Sequence, residues 1–287
     1  MEKIIKIILT QLHLIIPTFA LFLALVFGWH IGINTTDIVM LVIGYSLTKL
    51  GVKLGFHRLL THRSFKAVPA IRYGLAILGS MAMQGPVFEW IANHRVHHGF
   101  SDTESDVHSP RDFSENPSLI SRCRAFWHGH LGWMFGCDSR HAQFERLIPD
   151  LLKDKTLVHI NQWYLLWMSL SLALPALIGG LMAGSGTGAL LGFFWGGLVR
   201  IALLQHVTWG VSSICHTWGN APYPTKDNSK NNMLISLLAF GEGWHNNHHA
   251  FPRSARHGLR WYQIDFAYYT LWILARMGAA SDVVKAE

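Results

Sequence analysis

Long apolar runs alternate with polar, histidine-rich stretches along this chain. Four runs approach the roughly 20 residues that a helix needs to cross a bilayer core. They cover about residues 12–29, 37–56, 163–183 and 188–209. The pattern predicts an all-α membrane protein of one domain, with four transmembrane helices in two hairpins. The first run leads directly into another span and has no small-residue cleavage site, so it reads as a retained helix and not a signal peptide. The second carries Lys49 and Lys53 near its end, where their amino groups can snorkel to the interface, and the fourth contains Arg200. Two further runs are less regular. Residues 72–92 are interrupted by Gln84, Gly85 and Pro86 and include Glu89; residues 262–280 include Asp265 and Arg276. Both read as interfacial or protein-buried helices. The remaining chain, about 57–160 and 210–287, forms a helical cap.

Charge orients this arrangement. The connections 30–36 and 184–188 contain no Lys or Arg, whereas the loop 57–159 and the tail after Trp209 are rich in both. The positive-inside rule places both termini and both polar regions in the cytoplasm, here of a bacterial inner membrane. Half of the 287 residues are hydrophobic and only 14% are charged, against about a quarter in soluble domains. The net charge of +7 is spread over loops without a basic tract, which argues against nucleic acid as a partner. Cys123, Cys137 and Cys215 share no CxxC spacing, so they suggest neither a disulfide framework nor a zinc knuckle.

Histidine changes the picture. There are 18, and nine fall into a pattern: His57 and His62 in His-Arg-Leu-Leu-Thr-His, His94, His97 and His98 in His-Arg-Val-His-His, a single His216, and His245, His248 and His249 in His-Asn-Asn-His-His. On a helix, positions i, i+3 and i+4 lie on one face, so each His-x-x-His-His is expected to aim three imidazoles at one point. His57 and His62 lie about 140° apart on a helix. They converge only if the helix ends or distorts between them, or if they approach different metals. Nine imidazoles are too many for one ion, whereas two ions with four or five each fit the count. Imidazole suits iron, zinc and copper alike, so the donors alone do not name the metal. A shared site also requires that residues 72–92 not cross the membrane, since crossing would put the first two boxes in opposite compartments. The other nine histidines follow no ligand spacing and read as ordinary; His128 and His130, in a Trp-rich segment, are the strongest exceptions. Asp102, Asp106, Glu242 and Asn246 are candidates, by proximity in sequence, to accept the second N–H of the ligating rings.

The box residues, with Arg63 after the first box, Glu89-Trp90 before the second, and the run from Gly241 to Pro252, resemble the membrane Δ9 fatty acyl desaturases. The resemblance runs from about Gly51 to Pro252. It implies a four-span fold with a cytoplasmic di-iron cap, the nine histidines as iron ligands, and O2 as co-substrate. It further implies that Gln84, Trp90 and Thr208 line the bend of a narrow acyl tunnel. In that family an Asn four positions before the isolated histidine reaches the metal through water; here the position is Ser212. The cations that contact CoA phosphates in the animal enzymes are replaced by Ala92-Asn93 and Cys137-Asp138, which leaves acyl-CoA and acyl-lipid as alternative substrates. No His-Pro-Gly-Gly motif is present, so the two electrons are expected from a separate ferredoxin or cytochrome b5-like donor. Related membrane di-iron enzymes hydroxylate instead, and that alternative stays open. A zinc hydrolase is disfavoured because His-x-x-Glu-His and His-Glu-x-x-His are absent. A metal transporter would place its ligands within the spans, not beside them.

Overall fold

The computed structural model describes residues 2–114, 116–135 and 144–286, with residues 2–11, 29 and 144 described as backbone only. Among the described residues the regular structure is helical, apart from one two-stranded ribbon in which Lys66–Ala67 pairs antiparallel with Ala280–Ser281.

The first hairpin joins the helix Glu2–Ile31 to a helix that begins at Thr35. Asn34 caps the second helix: its side chain accepts from the Asp37 N–H, and Asp37 returns the bond to the Asn34 N–H. This helix runs without a break into a π-wound segment, Gly51–Thr61. The second hairpin joins Tyr164–Ala183 to a long helix starting at Gly186, which also contains a π segment, Gly192–Val199. Among the described residues, three helices are long and apolar enough to cross a membrane: Thr35–Thr61, Tyr164–Ala183 and Gly186–His216. The apolar part of the first helix, Leu12–Gly28, is shorter. Their outer faces carry large exposed apolar side chains, among them Phe19, Phe22, Val42, Leu177 and Leu181. Such an extended apolar surface suits hydrocarbon and not water.

The interrupted run of residues 72–92 folds as two helices, Pro69–Ser80 and Val87–Phe100, broken where Gln84, Gly85 and Pro86 stand. Pro69–Ser80 lies so close to the π segment that a side chain at Gly51 would strike the backbone of Leu78 and Gly79. Leu54, Phe56, Leu59 and Leu60 of the π segment, with Ile91, Leu157 and Leu271, form the largest buried apolar cluster. It roots the cap on the first hairpin.

The structure corrects the reading of Lys49 and Lys53. Neither snorkels: they are 0% and 3% exposed, and Lys49 Nζ donates to Thr208 Oγ1 of the other hairpin at 3.0 Å. Their positions face the neighbouring helix, which leaves the side chains no route to an interface.

Candidate metal centre

The histidine nitrogens gather into two groups, each with ligand atoms within 4.8 Å of one another. One holds His57, His62, His94, His98 and His248; the other holds His97, His216, His245 and His249. The π winding explains the first pair. The His62 N–H donates to the His57 carbonyl at 3.0 Å, an i→i+5 bond, so residues five apart stack on one face. Their rings stand 4.7 Å apart.

The expectation that each His-x-x-His-His aims at a single point is overturned. His94 and His98 join the five-membered group while His97 joins the other; His245 and His249 join the four-membered group while His248 crosses over. The cause is angular. Positions i and i+4 overlay within about 40°, whereas i+3 falls on the other side of i. The middle residue of each box therefore joins a different group from its neighbours.

Within each group the nitrogens nearly touch. His57 Nε2 and His248 Nε2 are 3.1 Å apart, His248 and His98 2.9 Å, His98 and His94 3.1 Å, and His216 and His245 2.9 Å. Imidazole nitrogens about 2.0–2.1 Å from one ion would stand roughly 3 Å apart. His62 Nε2 and His249 Nε2 are buried and have no hydrogen-bond partner among the described residues. Converging lone pairs and orphaned ring nitrogens fit a metal. Burial first, then mutual repulsion, pushes the protonation of His94, His98, His245 and His248 well below the ordinary histidine range. Neutral imidazole is the ligating species.

Carboxylates stand behind the rings. Asp106 lies 3.0 Å from His97 Nδ1, Asp102 2.9 Å from His216 Nδ1, and Glu242 2.7 Å from His57 Nδ1. Asp227, which nothing in its sequence surroundings singles out, lies 2.6 Å from His249 Nδ1. Burial would raise the Asp106 carboxyl, but its bond with His97 holds it well below the usual range. Asp102 takes up its position in the left-handed region at φ 58°, a conformation that costs a non-glycine residue about 1 kcal/mol or more. Phe240 and Gly241, at φ 57° and 108°, swing Glu242 inward; a side chain at Gly241 would collide with the Asp265 carboxylate. Arg58, fully buried, bonds both Glu242 and Asp265.

Asn246 does not back a histidine. Its side chain accepts from the Tyr223 N–H and donates to the Tyr223 carbonyl, bracing a loop instead. Ser212 is half-buried one helical turn before His216. Trp90 stacks on His94 with ring centroids 4.9 Å apart, and packs against the buried cluster of Val52, Ala82 and Leu204. Thr208 accepts from Lys49, and Gln84 Nε2 is buried without a partner among the described residues. Two histidines without ligand spacing border the centre. His108 lies 4.5 Å from the His97 ring, and His257 stacks on His248 at 4.4 Å. His257 also joins His57 and Glu242 in a tight group, but Arg58 already occupies Glu242 there, which disfavours a cation. His130 pairs with His206 at 3.2 Å, away from the centre, and His128 is exposed. Ala92 is core. Cys137, Asp138 and His141 lie outside the described residues.

Membrane-length apolar helices that carry two adjoining histidine clusters able to hold metal ions define the class of protein. Within it, the fatty acid desaturase family model matches residues 34–281, and the chain belongs to that family, an oxidoreductase family of lipid metabolism. It is 38% identical to a hex-5-enoyl-[acyl-carrier protein] acetylenase of Moorena producens, over 95% of this chain and 84% of that protein. It is 37% identical to an sn-1 stearoyl-lipid 9-desaturase of Anabaena variabilis, over 83% of this chain and 80% of the relative. It is 38% identical to an icosanoyl-CoA 5-desaturase of Limnanthes douglasii, over 86% of this chain but 64% of that longer protein.

Proposed function

We propose that this chain is an O2-dependent fatty acyl desaturase that introduces a cis double bond at or near carbon 9 of a saturated chain. The observation that carries the reading is the gathering of nine imidazoles into groups of five and four beside an apolar interior between the hairpins. The nine histidines are the ligands of two iron ions, one ion per group. Zinc, with no redox chemistry, cannot serve this reaction. When bound, the iron supplies from O2 an oxidant able to take hydrogen from an unactivated methylene. In the balance, –CH2–CH2– loses two hydrogens to become –CH=CH–, and O2 takes these with two electrons and two protons to become two waters.

The chain's own residues orient and shield. Trp90, braced on His94, offers a flat wall for the methylenes, with Val52, Ala82 and Leu204 behind it. Gln84 and Thr208 mark the bend that holds the chain for cis geometry. Asp102, Asp106, Asp227 and Glu242 fix the tautomers of the rings they face. Four spans in two hairpins present the cap and both termini to the cytoplasm, where a separate ferredoxin or cytochrome b5-like protein delivers electrons. The net charge of +7 favours an acidic donor. The acyl carrier is CoA or a membrane lipid, and the curated relatives' names include both kinds of substrate.

Expression in cells that lack desaturase, followed by fatty acid analysis with the double bond located, tests this reading. A new cis olefin that requires O2 is expected. A hydroxylated product without olefin would sink the desaturase reading in favour of a hydroxylase.

A further inference from the structure

We propose that the cap surface formed by Asp227, Tyr223 and Phe251 is where electrons enter, and that it fits a small acidic one-electron carrier protein. The inference rests on the desaturase reading above and adds to it the place at which the donor docks.

Four carboxylates back the histidines, and they differ in how near the surface they come. The side chains of Asp106, Asp102 and Glu242 are 0%, 2% and 2% exposed, whereas that of Asp227 is 10% exposed. Asp227 also makes the shortest of these contacts, 2.6 Å to His249 Nδ1. One hydrogen bond therefore separates the protein surface from a ring of the four-membered group. His248, the chain neighbour of His249, belongs to the five-membered group, so a single entry point adjoins both. Electron transfer weakens steeply with distance, and more steeply across gaps than along bonds. That favours Asp227 over the carboxylates sealed inside.

The surroundings of Asp227 give the chemistry of the partner. Tyr223 and Phe251 meet edge to face with ring centroids 5.2 Å apart, and Asn246 clamps the Tyr223 backbone beside the third box. A cavity of about 300 Å3 opens next to the two rings and is also lined by Arg256 and Lys285. The segment that carries Lys285 is pinned there. The Ala255 N–H donates to the Val284 carbonyl at 2.8 Å, and the Ala286 N–H to Ser254 Oγ at 3.1 Å. Exposed cations border the aromatic pair: Lys226 next to Asp227, Arg253 two residues after Phe251, and Lys285 in the cavity. An aromatic middle with a polar rim is the make-up of a protein–protein contact. A positive rim selects and steers a negative partner. Each encounter passes one electron, so two reduced carriers are oxidised per turnover. They supply the two electrons that the conversion of O2 to two waters draws.

The test uses the full-length, metal-loaded enzyme in nanodiscs of zwitterionic lipid, with a plant-type ferredoxin as the probe, chosen for its acidic surface. Titration with oxidised ferredoxin reads affinity, and stopped flow reads the rate at which reduced ferredoxin reduces the enzyme. With Lys226→Glu, Arg253→Glu and Lys285→Glu combined, affinity and second-order rate should each fall about tenfold or more at low salt. The wild-type rate should fall as salt is added, and the combined variant should lose that dependence. Reduction by dithionite, which needs no docking, reports whether the centre is intact. Lys285→Glu alone, with a smaller loss in the same direction, covers the case in which the combined variant fails to insert. Lys153→Glu, the same reversal at an exposed lysine of another cap segment, should keep ferredoxin affinity within about twofold of wild type. Unchanged affinity and rate in both the combined variant and Lys285→Glu overturn the inference. A loss in Lys153→Glu equal to that in Lys285→Glu also overturns it, since net charge alone would then account for the attraction. Both results leave the desaturase reading standing. Absence of olefin under O2 with either reductant overturns that reading itself.

Discussion

The two histidine groups differ in number, five against four, and differ more in what backs them. Among the described residues, one carboxylate stands behind the five, Glu242 at His57, and it is shared with Arg58 at 3.0 Å. Behind the four stand three, Asp102, Asp106 and Asp227, each within 3.0 Å of its ring. A carboxylate at the far nitrogen makes an imidazole a stronger donor and fixes its tautomer. On the proposed two-metal reading, the smaller group thus replaces a missing ligand with charge. Four carboxylates in all match the charge of two divalent ions, but three of them favour one side. If both groups hold an ion as proposed, the comparison teaches that ligand count and ligand strength can be exchanged within one fold.

The largest effect should come from the ligands. His245→Ala and His248→Ala are each expected to abolish olefin formation while the protein still inserts, as read by fatty acid analysis and membrane fractionation. Metal content separates the two groups: His245→Ala, with three ligands left, should lose its ion, whereas His62→Ala, with four left, should keep both. Equal loss in the two would erase the comparison.

Next in size is Arg58→Met, which takes the guanidinium away from two buried carboxylates, Glu242 and Asp265, and should cost about 3–5 kcal/mol in detergent unfolding. A loss below 1 kcal/mol would mean that the carboxylates are neutralised in another way. Smaller again, Asp227→Asn and Asp106→Asn should weaken metal retention at the four-membered group by roughly 10–100-fold in chelator competition. They should leave the five-membered group's ion in place; equal weakening of both ions would show that the carboxylate asymmetry does not matter.

The smallest effect lies outside the centre. Burial would raise the Asp150 carboxyl, but Arg95 and Arg63 hold it well below its usual range. A depressed folded pKa adds stability above the unfolded value, near 3.9, that is lost as the pH falls through the folded one. Asp150→Asn should therefore cost about 1 kcal/mol at neutral pH, and the difference from wild type should vanish in strong acid.

Sequence spacing was enough to pick out the histidine boxes, because ligands must recur at helical intervals to converge. It was not enough to divide them. The split of His97 from His94 and His98 depends on two centres lying side by side, which no single helix specifies. Asp102, Asp106 and Glu242 were legible because they lie near boxes in the chain. Asp227 and His257 were not, since a loop brings the one and a buried turn the other from segments without a motif. Asn246 carried the right chemistry at the right distance in sequence but bonds the backbone of Tyr223.

The buried lysines mark the same boundary. Hydropathy alone identified the apolar helices, since a long run of apolar side chains has few other stable environments, and it placed Lys49 near a helix end, where such residues usually seek water. Only the packing of one hairpin on the other decided that Lys49 meets Thr208 instead. A side chain's partner is a property of the neighbouring helix face, and the chain that carries the residue does not encode it locally.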